Sequence, residues 1–374
     1  MKFDVSSTAL LSRLQAINKV IASKNALPIL DCILFELQGN KLIITASDVD
    51  TRMVTSVDVL NADGSGLFAV TAKILLDPLK ELPEQPLSFE INEENMGILI
   101  HFQNGKYNFI GQRGDTYPQQ KPLNNANISI SIGAQRLLSG ISRSLFATAE
   151  DELRPVMNGV YFDIQQENLT IVASDGHKLV RLRDLSIHSQ ERASFILPKK
   201  PANLLRTVLA KETEEARIRF DENNAYISGS NFEMICRLIE GRYPNYNSVI
   251  PQGNPYKVTI DRISLLNALK RVSVFSNASS SLVKLHVMPG QLVVSAQDID
   301  YSTSAEEKII CEFSEAELKI GFKATFLIEI LSSIASEHVV LELADPSRAG
   351  LIIPAENEEN EDLLMLLMPM MLND

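Results

Sequence analysis

The sequence is poor in cysteine: Cys32, Cys236 and Cys311 are spread across 374 residues. An odd number so widely separated leaves no disulfide framework and no zinc-ligand spacing, and reads as reduced thiols. Long apolar runs are missing as well. The longest, residues 363–372, falls far short of the roughly 20 residues that a membrane-spanning helix needs. There is no Walker-type phosphate loop and no Gly-x-Ser-x-Gly elbow. Positive charge is in deficit, with 35 Lys and Arg against 47 Asp and Glu and a net charge of −12. Such a balance argues against a chain that grips nucleic acid through bulk charge. Met1-Lys2-Phe3-Asp4 leads straight into a polar–apolar pattern, so no signal peptide, no membrane association and a cytoplasmic location are expected.

What is present is repetition. Leu169-Thr170-Ile171-Val172 reads as a strand and runs into Ala173-Ser174-Asp175-Gly176-His177-Lys178-Leu179-Val180. The Asp-Gly pair there predicts a tight turn with glycine at positive φ. Two weaker echoes are Ala46-Ser47-Asp48-Val49-Asp50-Thr51 and Ala296-Gln297-Asp298-Ile299-Asp300-Tyr301. Asp48 and Asp175 are 127 residues apart, Asp175 and Asp298 are 123 apart, and Phe68, Phe195 and Phe322 repeat at 127. That period is too long for a solenoid repeat and has the size of a domain. The pattern predicts one domain written three times.

Each copy opens with an amphipathic helix, over residues 8–24, 134–147 and 262–275. Leu10, Leu14, Ile17 and Ile21 show the three-four spacing in the first. A strand–turn–strand pattern follows, at 33–44, 159–172 and 283–295. Second helices are predicted over 72–82, 198–211 and 324–336, and further short strands close each copy. Asn124-Asn125-Ala126-Asn127 and Gln252-Gly253-Asn254-Pro255 read as linkers. The domains expected are 1–125, 126–252 and 253–374, each α+β, with two helices over antiparallel strands.

Charge is segregated along these elements. The helices and their flanks carry Arg13, Lys19, Lys24, Lys80, Arg136, Lys199, Lys200, Arg206, Lys211 and Lys270 with few acids. Acids gather instead in 212–215 and 356–362. A basic helical face suits a polyanion, while an acidic exterior faces water. Catalysis is poorly supported. Ser174, Asp175 and His177 lack a third group to orient the histidine. Asp48-Val49-Asp50 and Asp298-Ile299-Asp300 lack the ligand count of a metal site. A non-enzyme without cofactor or metal is expected.

Along the whole chain, Met1-Lys2-Phe3, Leu27-Pro28-Ile29-Leu30, Asn158-Gly159, Ser174-Asp175-Gly176-His177-Lys178-Leu179, Gly241-Arg242-Tyr243-Pro244, Ile320-Gly321-Phe322 and Met368-Pro369-Met370 resemble the bacterial sliding clamp family, the beta subunit of DNA polymerase III. The resemblance implies a DNA clamp fold closed as a ring-shaped, head-to-tail homodimer around duplex DNA. It implies a processivity factor that tethers the DNA polymerase III catalytic subunit, other polymerases and repair proteins, and that a clamp-loader complex opens. It also implies a partner-peptide cleft at Met157, Ser174, Gly176, His177, Lys178, Leu179, Pro244, Val249, Leu366, Met368, Pro369, Met370, Met371 and Leu372. Methionine suits such a cleft, being flexible and polarisable. DNA contact is implied at Lys24, Lys199 and Lys200, and the helices add Arg136, Arg206 and Lys270. A dimer contact is implied between Ile74, Pro78, Tyr107 and Phe109 on one side and Val274 and Phe275 on the other. One departure bears on peptide preference: the family commonly has a basic residue where Met371 stands, and Asn373-Asp374 follow. Taken without the resemblance, residues 363–372 read as a plain buried strand, and Phe109 reads also as core and His177 as a turn cap. The alternative function is a peptide-binding scaffold that does not encircle DNA.

Overall fold

The computed structural model describes residues 1–119 and 128–372. The linker expected at 124–127, the expected boundary between 125 and 126, and Asn373-Asp374 lie outside the described residues. Six α-helices are described: α1 Ser7–Ile17, α2 Ala72–Lys80, α3 Ala134–Ser144, α4 Lys199–Leu209, α5 Arg262–Val272 and α6 Ala324–Ser333. None is long and apolar enough to cross a membrane.

The first helix of each copy is shorter than its apolar spacing predicts. α1 stops at Ile17 rather than 24 and tightens into a 3-10 turn, Asn18–Val20. The narrower turn carries Val20 into the core at 0% exposure. Leu145–Ala147 and Ser273–Phe275 end α3 and α5 in the same way. At the other ends, side chains cap exposed N–H groups. Ser6 accepts from the Ala9 N–H at 3.1 Å and Asp261 from the Ser264 N–H at 2.7 Å.

The chain forms two compact units. The first holds Met1–Leu138 and Lys200–Leu238. Its five-stranded antiparallel sheet runs Leu60–Asp63, Lys2–Ser6, Pro86–Asn92, Gly97–Phe102, Gly105–Ile110. Its nine-stranded sheet runs Gln112–Arg113, Gly66–Thr71, Cys32–Gln38, Lys41–Ser47, Thr51–Asp58, Glu233–Arg237, Asn224–Ser228, Glu215–Phe220, Ile128–Gly133. Strands of the first and second sequence copies therefore share one sheet, joined where Val54 faces Glu233 and Thr51 faces Cys236.

The second unit repeats the arrangement. Its eight-stranded sheet runs Ala193–Pro198, Gly159–Ile164, Leu169–Ser174, Lys178–Asp184, Glu361–Leu367, Gly350–Pro354, His338–Leu343, Tyr256–Asp261. Here the second copy joins the third, from Lys178 opposite Leu367 to Asp184 opposite Glu361. A four-stranded sheet runs Thr303–Ile310, Gln291–Asp298, Leu282–Met288, Leu318–Lys323.

The repeating phenylalanines are core residues in all three copies. Phe68 stacks on Phe35 at 5.1 Å and Phe195 on Phe162 at 4.7 Å, while Phe322 is 2% exposed. Strand Glu361–Leu367 is buried on both faces. Leu363, Met365 and Leu367 enter one apolar cluster and Leu364 and Leu366 another, following the two-residue period of a strand. The expected linker at 252–255 is pinned rather than loose: the buried Asn254 side chain donates to the carbonyls of Glu342 and Ala349 at 2.9 and 3.0 Å.

Candidate functional site

Asp175 organises the 174–178 turn. Its Oδ1 accepts from the N–H groups of His177 and Lys178 at 2.8 and 2.9 Å. The Ser174 hydroxyl donates to the Lys178 carbonyl at 2.9 Å and accepts from the Gly176 N–H at 3.2 Å. Gly176 has φ of +92°, where a side chain is strained. The same aspartate-centred turn recurs in the echoes. Asp48 accepts from the N–H groups of Asp50 and Thr51 at 2.9 and 2.6 Å, and Asp298 from those of Asp300 and Tyr301 at 3.0 and 3.3 Å. Aspartate is thus kept for turn geometry, and the middle copy differs in what lies against the turn.

What lies there is the chain beyond Glu361–Leu367. The Met368 N–H donates to the His177 carbonyl at 2.8 Å, so the His177 backbone holds the tail, while the turn itself is capped by Asp175. The Met370 N–H donates to the Gly321 carbonyl at 2.8 Å. A Cβ on Gly321 would stand 2.8 Å from the Met370 carbonyl oxygen and from Leu372 Cδ2, so glycine lets the tail lie flat on that strand. Residues 363–367 match the buried-strand reading, whereas 368–372 do not. Met368 and Met371 are 39% and 74% exposed, and Pro369, Met370 and Leu372 are half-buried.

Below the turn, Leu179, Leu366, Tyr243, Tyr246 and Ile250 share one apolar cluster. Tyr243 stacks on Tyr161 at 4.6 Å, and the Tyr246 hydroxyl donates to Asp163 at 2.8 Å. Burial, reinforced by Asp163, pushes the Tyr246 phenol up to about 12. Met157 is buried beside Val156, which packs on this cluster. Pro244 and Val249 stand exposed next to Tyr243 and Ile250. The fourteen residues expected to form a cleft therefore all belong to the second unit and gather around the turn, the tail and this cluster.

Lys178, expected in the cleft, is a buried base. It is 5% exposed, with Nζ 3.1 Å from Glu329, 3.3 Å from Asp175 and 3.8 Å above the Phe326 ring. A buried cation needs such partners, because desolvation alone costs several kcal/mol. Lys323 Nζ lies 4.7 Å from the same ring, and the His177 ring is 6.5 Å away. Lys323, Phe326 and Glu329 are not among the site residues that the sequence points to. Their three-residue spacing puts them on one helix face.

The basic helical residues differ in their settings. Lys199 Nζ pairs with Glu150 at 2.6 Å. Lys200 pairs with Asp48 and donates to the Val20 carbonyl at 2.7 Å. Lys24, Arg206 and Lys270 are exposed, and Arg136 is half-buried. In the first unit Arg13, Lys19 and Lys211 donate to the neutral side chains of Asn231, Thr207 and Ser12 at 2.9, 3.3 and 3.1 Å, which leaves their charge uncancelled.

The expected dimer residues lie on surfaces. Ile74 is 48% exposed, with Pro78 half-buried on the same helix. Tyr107 and Phe109 are half-buried on edge strand Gly105–Ile110, so the core reading of Phe109 does not hold. Val274 and Phe275 are 78% and 40% exposed. The sequence reading missed Ile110 and Ile310, exposed at the ends of two edge strands; an isoleucine in a strand gives no hint of facing water.

Successive α+β copies that share their antiparallel sheets define the DNA clamp fold. Family models for the N-terminal, central and C-terminal domains of the DNA polymerase III beta subunit match residues 1–121, 131–245 and 247–371. The beta sliding clamp of Pseudomonas aeruginosa is 28% identical over 368 residues, covering 98% of this chain and 99% of that one. That of Haemophilus influenzae is 26% identical over the full length of both. The crystal structure of a P. aeruginosa DnaN sliding clamp bound to griselimycin superposes with a TM-score of 0.93 at 27% identity, covering 100% of both chains. A Bartonella birtlesii DnaN clamp, also bound to griselimycin, gives 0.92 at 25% identity with the same coverage. The chain belongs to the DNA polymerase III beta subunit family and is a DNA sliding clamp.

Proposed function

We propose that two copies of this chain close head to tail around duplex DNA and hold the polymerase and other partners at a cleft formed by the 174–178 turn and residues 366–372. The observation that carries the closed pair is the way the sheets are shared. Thr51–Asp58 of the first copy pairs with Glu233–Arg237 of the second, and Lys178–Asp184 of the second pairs with Glu361–Leu367 of the third. The corresponding strand of the third copy, Thr303–Ile310, ends its sheet. So does Gly105–Ile110, which corresponds in the first copy to 233–237 and 361–367. Open edge strands invite a partner. The same pairing made between two chains sets Ile310, Val274 and Phe275 against Ile110, Tyr107, Phe109, Ile74 and Pro78. A head-to-tail contact must either close or grow into a filament, and two copies of three clamp domains, 1–125, 126–252 and 253–374, suffice for closure.

Closure explains how an acidic protein stays on DNA. Non-specific binding has a Kd of roughly 10⁻⁴–10⁻⁶ M. With an on-rate near 10⁸ M⁻¹s⁻¹, a charge-held protein would leave about 10²–10⁴ times per second. A ring leaves only by opening, so weak contacts from Lys24, Arg136, Lys199, Lys200, Arg206 and Lys270 suffice and permit sliding. The protein acts as a cytoplasmic accessory factor, opened by a loader from other chains. The cleft also takes griselimycin, the ligand bound to the P. aeruginosa and B. birtlesii clamps. Light scattering should return twice the 41.5 kDa chain mass. Retention on closed circular DNA should be lost when the DNA is linearised. A monomer at every concentration, or equal retention on both DNA forms, would favour the scaffold that does not encircle DNA.

A further inference from the structure

The oxidisable sulfur atoms of this chain are unevenly placed. Of its ten methionines, Met53, Met157, Met234 and Met365 are buried, and Met1, Met96, Met288 and Met370 are half-buried. The two exposed ones, Met368 and Met371, both lie in the tail held by His177 and Gly321. The three cysteines are buried, and burial raises each thiol, Cys236 to about 12. Buried, protonated thiols react slowly with oxidants. A peroxide therefore meets accessible sulfur chiefly at this one surface.

We propose that peroxide oxidation of Met368 and Met371 to methionine sulfoxide is a reversible modification that weakens docking at the cleft. The inference rests on the reading of this surface as the ligand cleft. In each step the thioether sulfur attacks one peroxide oxygen, an S–O bond forms and the O–O bond breaks. The second oxygen leaves as water, so sulfur loses two electrons and peroxide gains them. A thiol-dependent sulfoxide reductase reverses the change. The sulfoxide is polar and chiral, so an adaptable apolar lip becomes one that must be desolvated when a ligand docks. Met371, 74% exposed, adds a second open thioether to that of Met368 at the lip. The coupling is reciprocal: a bound ligand shields the sulfur atoms that oxidation would use against it.

The test uses the full-length protein and griselimycin as the probe. Calorimetric affinity is measured untreated, after hydrogen peroxide and after methionine sulfoxide reductase, with mass spectrometry locating the added oxygen. Oxygen should appear first at Met371 and Met368, and saturating griselimycin should slow its addition. Affinity should fall about tenfold, a change of about 1.4 kcal/mol, and recover with the reductase. Met368→Leu with Met371→Leu, compared with itself before and after peroxide, should show no change. Full oxidation at both positions with unchanged affinity overturns the switch, as does an equal loss in the double variant. An untreated protein that fails to bind griselimycin overturns the cleft reading itself, and the switch with it.

Discussion

Replacing Gly321 by alanine should uncouple the tail from the fold that supports it. Gly321 lies in Leu318–Lys323 and its φ is not positive, so the backbone accepts alanine. The added carbon would meet the Met370 carbonyl oxygen and Leu372 Cδ2 at 2.8 Å and Leu282 Cδ1 at 2.9 Å. The two side-chain carbons can swing aside, whereas the carbonyl moves only if Met370 moves. One backbone hydrogen bond of 2.8 Å ties Met370 to Gly321, worth about 1 kcal/mol net. The strand itself is paired along its length with Leu282–Met288, from Lys323 opposite Leu282 to Leu318 opposite Val287. The tail therefore yields and the strand does not. Alanine regains about 0.5–1 kcal/mol of the conformational entropy that glycine loses on folding. The two effects nearly cancel, so the melting temperature should move by no more than about 4 °C. Griselimycin affinity should fall far more. Removing one apolar wall side chain from the cleft costs about 1.5–3 kcal/mol, on the order of 10–150-fold. Scanning fluorimetry and titration calorimetry on the same preparation measure both. Unchanged affinity, or a collapse in melting temperature, would refute a tail that is separable from the core and necessary to the cleft.

Other perturbations probe the remaining surfaces. Lys199→Ala with Lys200→Ala should weaken loading onto circular DNA and lower the salt slope by nearly one for each phosphate no longer neutralised, leaving the solution mass unchanged; identical loading at every salt concentration would count against it. Ile310→Lys places a charge on a strand edge and should return the 41.5 kDa monomer mass in light scattering; a mass still doubled would refute the edge pairing. Asp261→Ala removes the α5 cap and should cost about 1 kcal/mol near neutral pH. The Ser264 hydroxyl and N–H hold the Asp261 carboxyl below its ordinary value. Its contribution is therefore present above the unfolded value, about 3.9, and lost as pH falls through the lower folded one. Thermal melts should show the wild-type advantage shrinking below about pH 4, and an undiminished gap there would contradict the capping account.

Much of the fold was legible because repetition reports itself. Aspartates that build one kind of turn and phenylalanines that fill one kind of core recur at a domain-length interval, and strand and helix periods follow around them. Helix ends were less legible. Leu10, Leu14, Ile17 and Ile21 keep their spacing while the backbone tightens after Ile17, and a 3-10 turn preserves apolar order while changing its direction. The sharing of sheets was not legible at all. Nothing in Thr51–Asp58 names Glu233–Arg237 as its neighbour, because a strand's hydrogen-bonding edge is backbone and carries no side-chain signature. At the cleft, family motifs led to the turn and tail, but a lysine in a motif gives no sign that it is buried. The setting of Lys178 depends on Glu329 and Phe326, more than 140 residues away, and such pairings belong to tertiary packing.

The position of Glu361–Leu367 bears on how the chain is made. It is the last strand in sequence among the described residues, yet it lies inside its sheet, between Lys178–Asp184 and Gly350–Pro354. While the ribosome is still short of residue 361, each of those two strands has only its other neighbour, Leu169–Ser174 or His338–Leu343, and one edge of each is left unpaired. The second and third copies have no common sheet, and the 174–178 turn has no tail against it. A prematurely terminated chain therefore lacks the seam that joins its last two copies, along with the tail that lies against the 174–178 turn. Interrupted synthesis yields fragments with open strand edges, substrates for chaperones and proteases.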